Sequence, residues 1–362
     1  MTRYCSTFPV GLAEPVEAAL QSALKDARVE RLLDGLVFYA TEAPVERVRE
    51  LRFVNNSFLV LKYLARVPGG AADSVVDCAL NDMNVSHILS ESREPGERTF
   101  RITVSHEGKT VSGNRKRLRD LEAWITRHTR LTLDPHKPDV EFWILVRSEG
   151  CGCFAKRLTR HAAYDKILER GELRPELANI LCLLSEPSPR DVFLDPYCGS
   201  GAIAIQRKSM PYRAIFASDI DAEKVKRLRE EFRAVLKRRD NRFNIRRDDA
   251  LDLSRYDPGF VTKIVTDPPW GHYEKLGTEP CSYYRTMLQG FLRLLESDGI
   301  VVVLLANRTA FEEAAAACSP LLQVTRRFDV LVSGQRAHVF KLRTSAETRP
   351  SDPAAEPSSH HA

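Results

Sequence analysis

Asp191-Val192-Phe193-Leu194-Asp195-Pro196-Tyr197-Cys198-Gly199-Ser200-Gly201-Ala202-Ile203-Ala204-Ile205 reads as a strand, a glycine-rich turn and the start of a helix. The apolar run before Asp195 has the length of a buried strand, and Ala202 to Ile205 opens a helical pattern. Glycines in such a turn let a backbone approach a bound molecule closely, and the helix N-terminus faces an anion. Only two glycines occur, as Gly199-x-Gly201, so the spacing is not that of a dinucleotide fingerprint. The next strand, Ala214-Ile215-Phe216-Ala217-Ser218, runs into Asp219-Ile220, 24 residues past Asp195. An acid at the end of a second strand suits a pair of ribose hydroxyls. A third strand, Phe243 to Arg247, ends in Asp248-Asp249-Ala250, where an acid can meet an adenine amino group. Each acid alone also reads as a helix N-cap. Three at successive strand ends suit a nucleoside better.

Seventy residues on from Asp191, Val261-Thr262-Lys263-Ile264-Val265-Thr266 is an apolar, β-branched run leading into Asp267-Pro268-Pro269-Trp270. The run predicts a buried strand and the tetrapeptide a rigid loop at the carboxyl edge of a sheet, where open α/β folds bind ligands. Asp267 can accept from an exocyclic amino group. Pro268 and Pro269 fix the backbone, so that a carbonyl is aimed at a second amino proton. Trp270 offers a face on which an unstacked base can lie. The competing reading is a surface turn begun by Asp-Pro.

These motifs carry a resemblance. The block Phe193 to Ile205 resembles the first motif of class I S-adenosylmethionine-dependent methyltransferases, in the Asp-Pro-x-Cys-Gly-Ser-Gly form of RNA methyltransferases. Asp267-Pro268-Pro269-Trp270 resembles the (Asp/Asn)-Pro-Pro-aromatic motif of amino-group methyltransferases, with Trp in a place usually held by Tyr or Phe. In the front half, Tyr4 to Ala13, a helix Pro15 to Leu24, Gly35 to Ala40 and Leu51-Arg52-Phe53-Val54-Asn55-Asn56-Ser57-Phe58-Leu59 follow in the order of the small ferredoxin-like domain that precedes a THUMP domain. Phe100 to Val104 and Pro138 to Val146 resemble THUMP strands. The chain thus resembles the THUMP-domain guanine-N2 RNA methyltransferases, tRNA type, over nearly its whole length to about residue 343. The resemblance implies an α/β, Rossmann-like class I methyltransferase domain behind an N-terminal α+β ferredoxin-like plus THUMP module. It implies S-adenosylmethionine as cofactor, held by Asp195, Pro196, Cys198, Gly199, Gly201, Asp219, Ile220, Asp249, Ala250 and Asp267, and catalysis by Asp267, Pro268, Pro269 and Trp270. The implied substrate is the N2 amine of a guanosine near the acceptor stem of tRNA. Relatives act on ribosomal or spliceosomal RNA, and some work with a small activating subunit. A DNA amino-methyltransferase, a non-catalytic RNA-binding scaffold and a dinucleotide oxidoreductase are the rivals. The front half, the intact glycines and acids, and the Gly-x-Gly spacing respectively argue against them.

Charge supports an RNA-binding front half independently. Arg98 to Arg170 holds 16 Lys/Arg against 9 Asp/Glu, in a chain of net charge +5. Arg115-Lys116-Arg117-Leu118-Arg119 is the densest cluster, followed by Lys156-Arg157 and Arg160-His161. Phosphate contact is the expected role of Arg115, Lys116, Arg117, Arg119, Lys156, Arg157 and Arg160; a solvated helix face is the alternative.

The 362 residues, 43% of them hydrophobic, suffice for two or three cores. No run of eighteen apolar residues occurs, so no membrane span is expected. The N-terminus lacks a basic-then-apolar leader pattern, and a cytoplasmic protein, monomeric or weakly dimeric, is expected. Eight cysteines are scattered, with Cys151-Gly152-Cys153 the close pair; a single Cys-x-Cys does not predict a metal site. The expected organisation is a ferredoxin-like domain over 1–60 and a THUMP-like domain over 61–150. A linker over 151–180, including Gly171 to Ala178 as a segment closing on the cofactor, leads to the methyltransferase domain over 181–343. A disordered Pro/Ser/Ala/Glu-rich tail over 344–362 completes it. Arg327 to Val332 and Ala337 to Leu342 around Ser333-Gly334-Gln335-Arg336 predict a terminal hairpin.

Overall fold

The computed structural model describes residues 1–159, 172–233, 242–270 and 277–345. The chain divides into two compact units, Met1–Phe8 with Glu17–Asp165 and Pro9–Val16 with Lys166–Ala362.

The chain begins with β1 (Thr2–Thr7), α1 (Ala13–Ala23), β2 (Arg28–Leu33), β3 (Leu36–Thr41), α2 (Val45–Arg49) and β4 (Asn56–Leu64). These strands stand in the order β2-β3-β1-β4 with every neighbouring pair antiparallel, the split βαβ arrangement. There follow α3 (Ala72–Leu80), α4 (Met83–Glu91), β5 (Thr99–His106), β6 (Lys109–Thr110), α5 (Arg115–Thr129), β7 (Thr132–Leu133), β8 (Val140–Val146) and β9 (Gly152–Arg157). One sheet of nine strands contains them all, in the order β2-β3-β1-β4-β9-β8-β5-β6, with β7 also on β5.

Two expectations are corrected here. The stretch 151–157 does not begin a linker: β9 lies between β4 and β8, antiparallel to both, and Gly152 to Lys156 are all buried. A strand covered on both faces is largely apolar, and Cys151, Cys153, Phe154 and Ala155 meet that need, while buried Lys156 is paired with Glu97. The cysteines therefore sit in the core of the sheet. Likewise no boundary at residue 60 separates two sheets, because β9 pairs the front strands to the later ones. Helices α3, α4 and α5 contribute Val75, Leu89, Leu121 and Ile125 to a core that holds Phe100, Phe142 and Phe154 from the strands. Burial of each such side chain contributes roughly 1.5–3 kcal/mol.

The second unit contains α6 (Pro175–Leu184), β10 (Val192–Asp195), α7 (Ala202–Lys208), β11 (Ala214–Asp219), α8 (Ala222–Glu231), β12 (Phe243–Arg247) and β13 (Val261–Thr266). After these come α9 (Pro280–Leu294), β14 (Leu295–Leu305), α10 (Arg308–Ala316), β15 (Leu322–Val332) and β16 (Gln335–Thr344). Of the segment Gly171 to Ala178, Pro175 to Ala178 forms the first turn of α6, and the proline ring suits the first helical position; Gly171 lies outside the described residues. Of the tail, 346–362 lies outside them too.

The sheet order is β12-β11-β10-β13-β14-β16-β15. The first five strands are parallel, and β16 runs antiparallel to β14 and β15. Val332 faces Gln335 across Ser333 (φ 50°) and Gly334 (φ 82°), the two positive-φ positions of a tight hairpin turn. On α9 the buried Tyr284, Met287, Leu288, Phe291 and Leu294 repeat at helical spacing and close one face of the sheet. Buried Arg207, near the end of α7, bonds Asp191 Oδ2 at 2.7 Å and the Pro211 carbonyl at 2.6 Å. That tie holds the strand–turn–helix unit at the end away from its glycines. Strand order reverses between β10 and β13, so a crevice opens at their carboxyl ends. Among the described residues no helix is long and apolar enough to cross a membrane.

Candidate functional site

Four neighbouring strands deliver acids to one edge. Asp195 ends β10, Asp219 ends β11, Asp248 and Asp249 follow β12, and Asp267 follows β13. Asp195 is fully buried. Its Oδ1 accepts from Thr266 Oγ1 at 2.9 Å and from the Tyr197 amide at 3.4 Å, whereas Oδ2 has no partner among the described residues. Burial pushes its carboxyl up to about 8, against those hydrogen bonds and with the charges of Asp267 and Asp219 adding to the rise.

The turn after Asp195 is built from its backbone. Pro196 is buried. The Cys198 amide bonds the Ser218 carbonyl at 2.8 Å, and the Gly201 amide the Cys198 carbonyl at 2.6 Å. Burial pushes the Cys198 thiol well above its usual range, with Asp195 and Asp219 adding to the effect. The Cys198 side chain is thus buried within the loop. Gly199 (φ 49°) donates its amide to Asp219 Oδ2 at 3.0 Å, and a side chain added there meets nothing within 4 Å. The space above Gly199 is thus open to a ligand. Gly201 (φ 86°) is required for the opposite reason: its Cβ would fall 2.2 Å from Leu228 Cδ1 of α8. Asp219 Oδ1 accepts from the Asp221 amide at 2.9 Å. Each of its oxygens therefore spends one lone pair on the loop and keeps another for a hydroxyl donor. Ile220 beside it is 61% exposed, an apolar side chain standing at the edge of the crevice.

Beyond β12 the two acids divide their work. Asp248 bonds Arg255 and, at 3.3 Å, the Tyr256 hydroxyl, and so pins the following loop. Asp249 is exposed and caps the Leu251 amide at 2.9 Å, while Ala250 is buried. In the tetrapeptide, Pro268 is buried and Asp267, Pro269 and Trp270 are half-buried; the Trp270 indole Nε1 donates to Asp267 Oδ1 at 2.7 Å.

Three groups at this edge were not legible as site residues. Thr266 orients Asp195 from the neighbouring strand. The Tyr283 hydroxyl donates to that of Tyr197 at 2.8 Å, joining α9 to the glycine-rich turn across 86 positions of sequence. Buried Tyr284 leaves its hydroxyl without a partner among the described residues, and burial, then Tyr283 and Asp267, push it up to about 12. No local motif announces the two tyrosines; the signal in Thr266 was its place directly before Asp267.

The basic residues separate. Arg115, Lys116 and Arg119 are exposed in the first turns of α5, where Asn114 caps the Lys116 and Arg117 amides at 3.0 and 3.3 Å. Arg117 is half-buried and paired with Asp77 at 2.8 Å. Cations at a helix N-terminus oppose the helix dipole, so this cluster adds its field to the positive end of α5. The expectation for Lys156 is corrected, because its ammonium is buried away from any phosphate, and Arg157 is engaged by a carboxylate. Lys156 is buried on β9 with Nζ 2.9 Å from both carboxylate oxygens of buried Glu97, and it also bonds the Ser92 carbonyl. Arg157 Nη1 lies 3.2 Å from Glu141 Oε2, a carboxylate shared with Arg101 at 2.6 Å and the Trp143 indole at 2.8 Å. Burial raises the Glu141 carboxyl, but those three donors outweigh it and hold it below the usual range. Arg160 lies outside the described residues.

The parallel strands with their reversal at β10 and β13 and the closing antiparallel pair make the second unit a class I methyltransferase fold. Residues 163–337 match the family described as UPF0020, the RMKL-like methyltransferase domain. The tRNA (guanine(6)-N2)-methyltransferase of Thermus thermophilus is 30% identical over 217 residues, 58% of this chain and 62% of the relative. The match thus spans less than two thirds of that relative's length. The tRNA (guanine(10)-N2)-dimethyltransferase of Methanothermobacter thermautotrophicus is 28% identical over 251 residues, 66% of this chain and 69% of the relative. The crystal structure of TrmN from Thermus thermophilus aligns with a TM-score of 0.75 at 22% identity, over 95% of this chain and 100% of that one, a likeness of fold.

Proposed function

We propose that this chain is an S-adenosylmethionine-dependent methyltransferase that modifies the exocyclic N2 amine of a guanosine in tRNA, near the acceptor stem. The observation that carries the reading is the meeting, at one strand reversal, of a buried unpartnered Asp195 oxygen, an open glycine-rich turn and the rigid Asp267-Pro268-Pro269-Trp270 loop. The donor set fits the cofactor. Asp195 suits its ammonium group, the remaining lone pairs of Asp219 its ribose hydroxyls, exposed Asp249 its adenine amine, and Ile220 the adenine face. When bound, that cofactor supplies an electrophilic methyl and a sulfonium leaving group.

The chain's own part is positioning and electrostatics. An aryl amine is a weak nucleophile because its lone pair is delocalised into the ring. Asp267 accepting from one amino proton, and the Pro268 carbonyl from the other, favours a more tetrahedral nitrogen and aims its lone pair. Proximity of this kind supplies on the order of 7–11 kcal/mol. Trp270 receives the base, offsetting part of the few kcal/mol needed to unstack it. The first unit is the RNA-binding module, THUMP-like, with Arg115, Lys116 and Arg119 on phosphates; relatives named for tRNA guanine-N2 methylation support the substrate class.

The test is transfer of tritiated methyl from S-adenosylmethionine to total tRNA, ribosomal RNA and duplex DNA, with nucleoside analysis of the product. N2-methylguanosine in tRNA is the expected result. The same nucleoside in ribosomal RNA alone changes the substrate, and a methylated adenine or cytosine overturns the base assignment. Transfer to none of them, with the cofactor bound, overturns the chain as an enzyme acting alone.

A further inference from the structure

Trp270 occupies a place where a ring face alone serves for stacking, yet its indole nitrogen is engaged. Nε1 donates to Asp267 Oδ1 at 2.7 Å, the two residues standing three apart with Pro268 and Pro269 between them. Two prolines in succession restrict the backbone torsions over the intervening stretch, so the approach of Asp267 and Trp270 is set by the loop itself. A phenylalanine has no donor, and a tyrosine carries its donor at the far end of the ring, away from the carboxylate reached by the indole. The departure from the usual aromatic is therefore a chemical one.

We infer that Trp270 is a positioning residue as well as a stacking surface: its indole N–H fixes the Asp267 carboxylate, so that the base-receiving face and the amine-accepting oxygens are set as one rigid unit. This rests on the reading of Asp267 as the acceptor of the target amine. The terminal torsion of a carboxylate is intrinsically broad and two-fold. Holding one oxygen removes that freedom before the substrate arrives, and angular precision of this order governs attack geometry. The same pairing occurs in the first unit, where the Trp143 indole bonds Glu141 at 2.8 Å. There it joins two residues of one strand and provides an internal standard for an indole held by a carboxylate.

The test has two parts, both on the full chain. Indole ¹⁵N labelling gives one cross-peak for each of Trp124, Trp143 and Trp270, and Trp270→Phe assigns the last. In Asp267→Ala the Trp270 indole proton is expected to move upfield and exchange with solvent faster, while the Trp143 peak stays in place. An unmoved Trp270 peak overturns the inference. In single-turnover methyl transfer, Trp270→Phe is expected to slow the step roughly ten-fold, the effect of losing one charge-assisted hydrogen bond, with RNA affinity within about two-fold of wild type. In the Asp267→Ala background the same change is expected to have no further effect. A loss confined to RNA affinity, or one that adds fully to Asp267→Ala, leaves stacking as the residue's sole role and overturns the inference. Failure of the wild-type chain to methylate guanosine overturns the underlying reading instead, and the indole spectrum is independent of that result.

Discussion

Asp195 shows how much one buried atom constrains chemistry. Its carboxyl is raised to about 8 by burial, and a cationic ligand needs the carboxylate, which the free protein holds only above that value. Cofactor affinity is therefore expected to fall about ten-fold per pH unit as pH drops below about 8, and Asp195→Asn to flatten that dependence; calorimetric titration from pH 6 to 8.5 checks it. The same shift has the opposite sign for the free fold. Between 3.8 and about 8 the folded carboxyl keeps a proton that the unfolded one has lost, so its contribution to stability declines as pH rises. Asp267 belongs to the reaction itself. Asp267→Ala is expected to lower turnover by about 10²–10³-fold, as removal of a well-placed electrostatic group does, with cofactor affinity retained in the same titration. Loss of both together contradicts the role proposed for it.

Elements carry the next constraints. The N-terminus of α7 begins at Gly201, in a conformation that L-residues resist and directly under Leu228 of α8. Gly201→Ala combines a left-handed backbone with a collision against a side chain, and stability is expected to fall by about 1–3 kcal/mol in urea unfolding. Helix α5 places its cations where its own dipole disfavours them, an arrangement that makes sense for an anionic partner. Replacing Arg115, Lys116 and Arg119 by Gln is expected to weaken tRNA binding across sequences and to reduce the slope of log affinity against log salt by about two to three. Unchanged slope moves the RNA contact elsewhere. Elements were also the most legible scale. The runs at Val192, Ala214, Phe243 and Val261 read as strands because short, largely apolar stretches between turn residues carry that information locally. The hairpin at Ser333-Gly334 was legible through its turn chemistry.

For the molecule as a whole, the ion pair between Lys156 and Glu97 fastens the middle strand of the first sheet to the turn before β5. Lys156→Met leaves Glu97 buried without its cation, and unfolding free energy is expected to drop by about 3–5 kcal/mol, read by denaturant titration. A surface role for Lys156 predicts almost no change. What the sequence by itself determined was the set of strands in the second unit, the acids at their ends and the rigidity of the Asp267 loop, because spacing, side-chain branching and proline act over a few residues. Tertiary structure alone decided that β9 belongs in the centre of a nine-stranded sheet and that Lys156 and Arg157 are paired with Glu97 and Glu141. It alone decided too that Tyr283 meets Tyr197, that Thr266 orients Asp195 and that the Trp270 indole holds Asp267. The physical reason is register and side-chain direction: charge and hydrophobicity are visible in a chain, but which face a residue takes, and which distant group meets it there, is set by pairings that exist only when the sheet has closed.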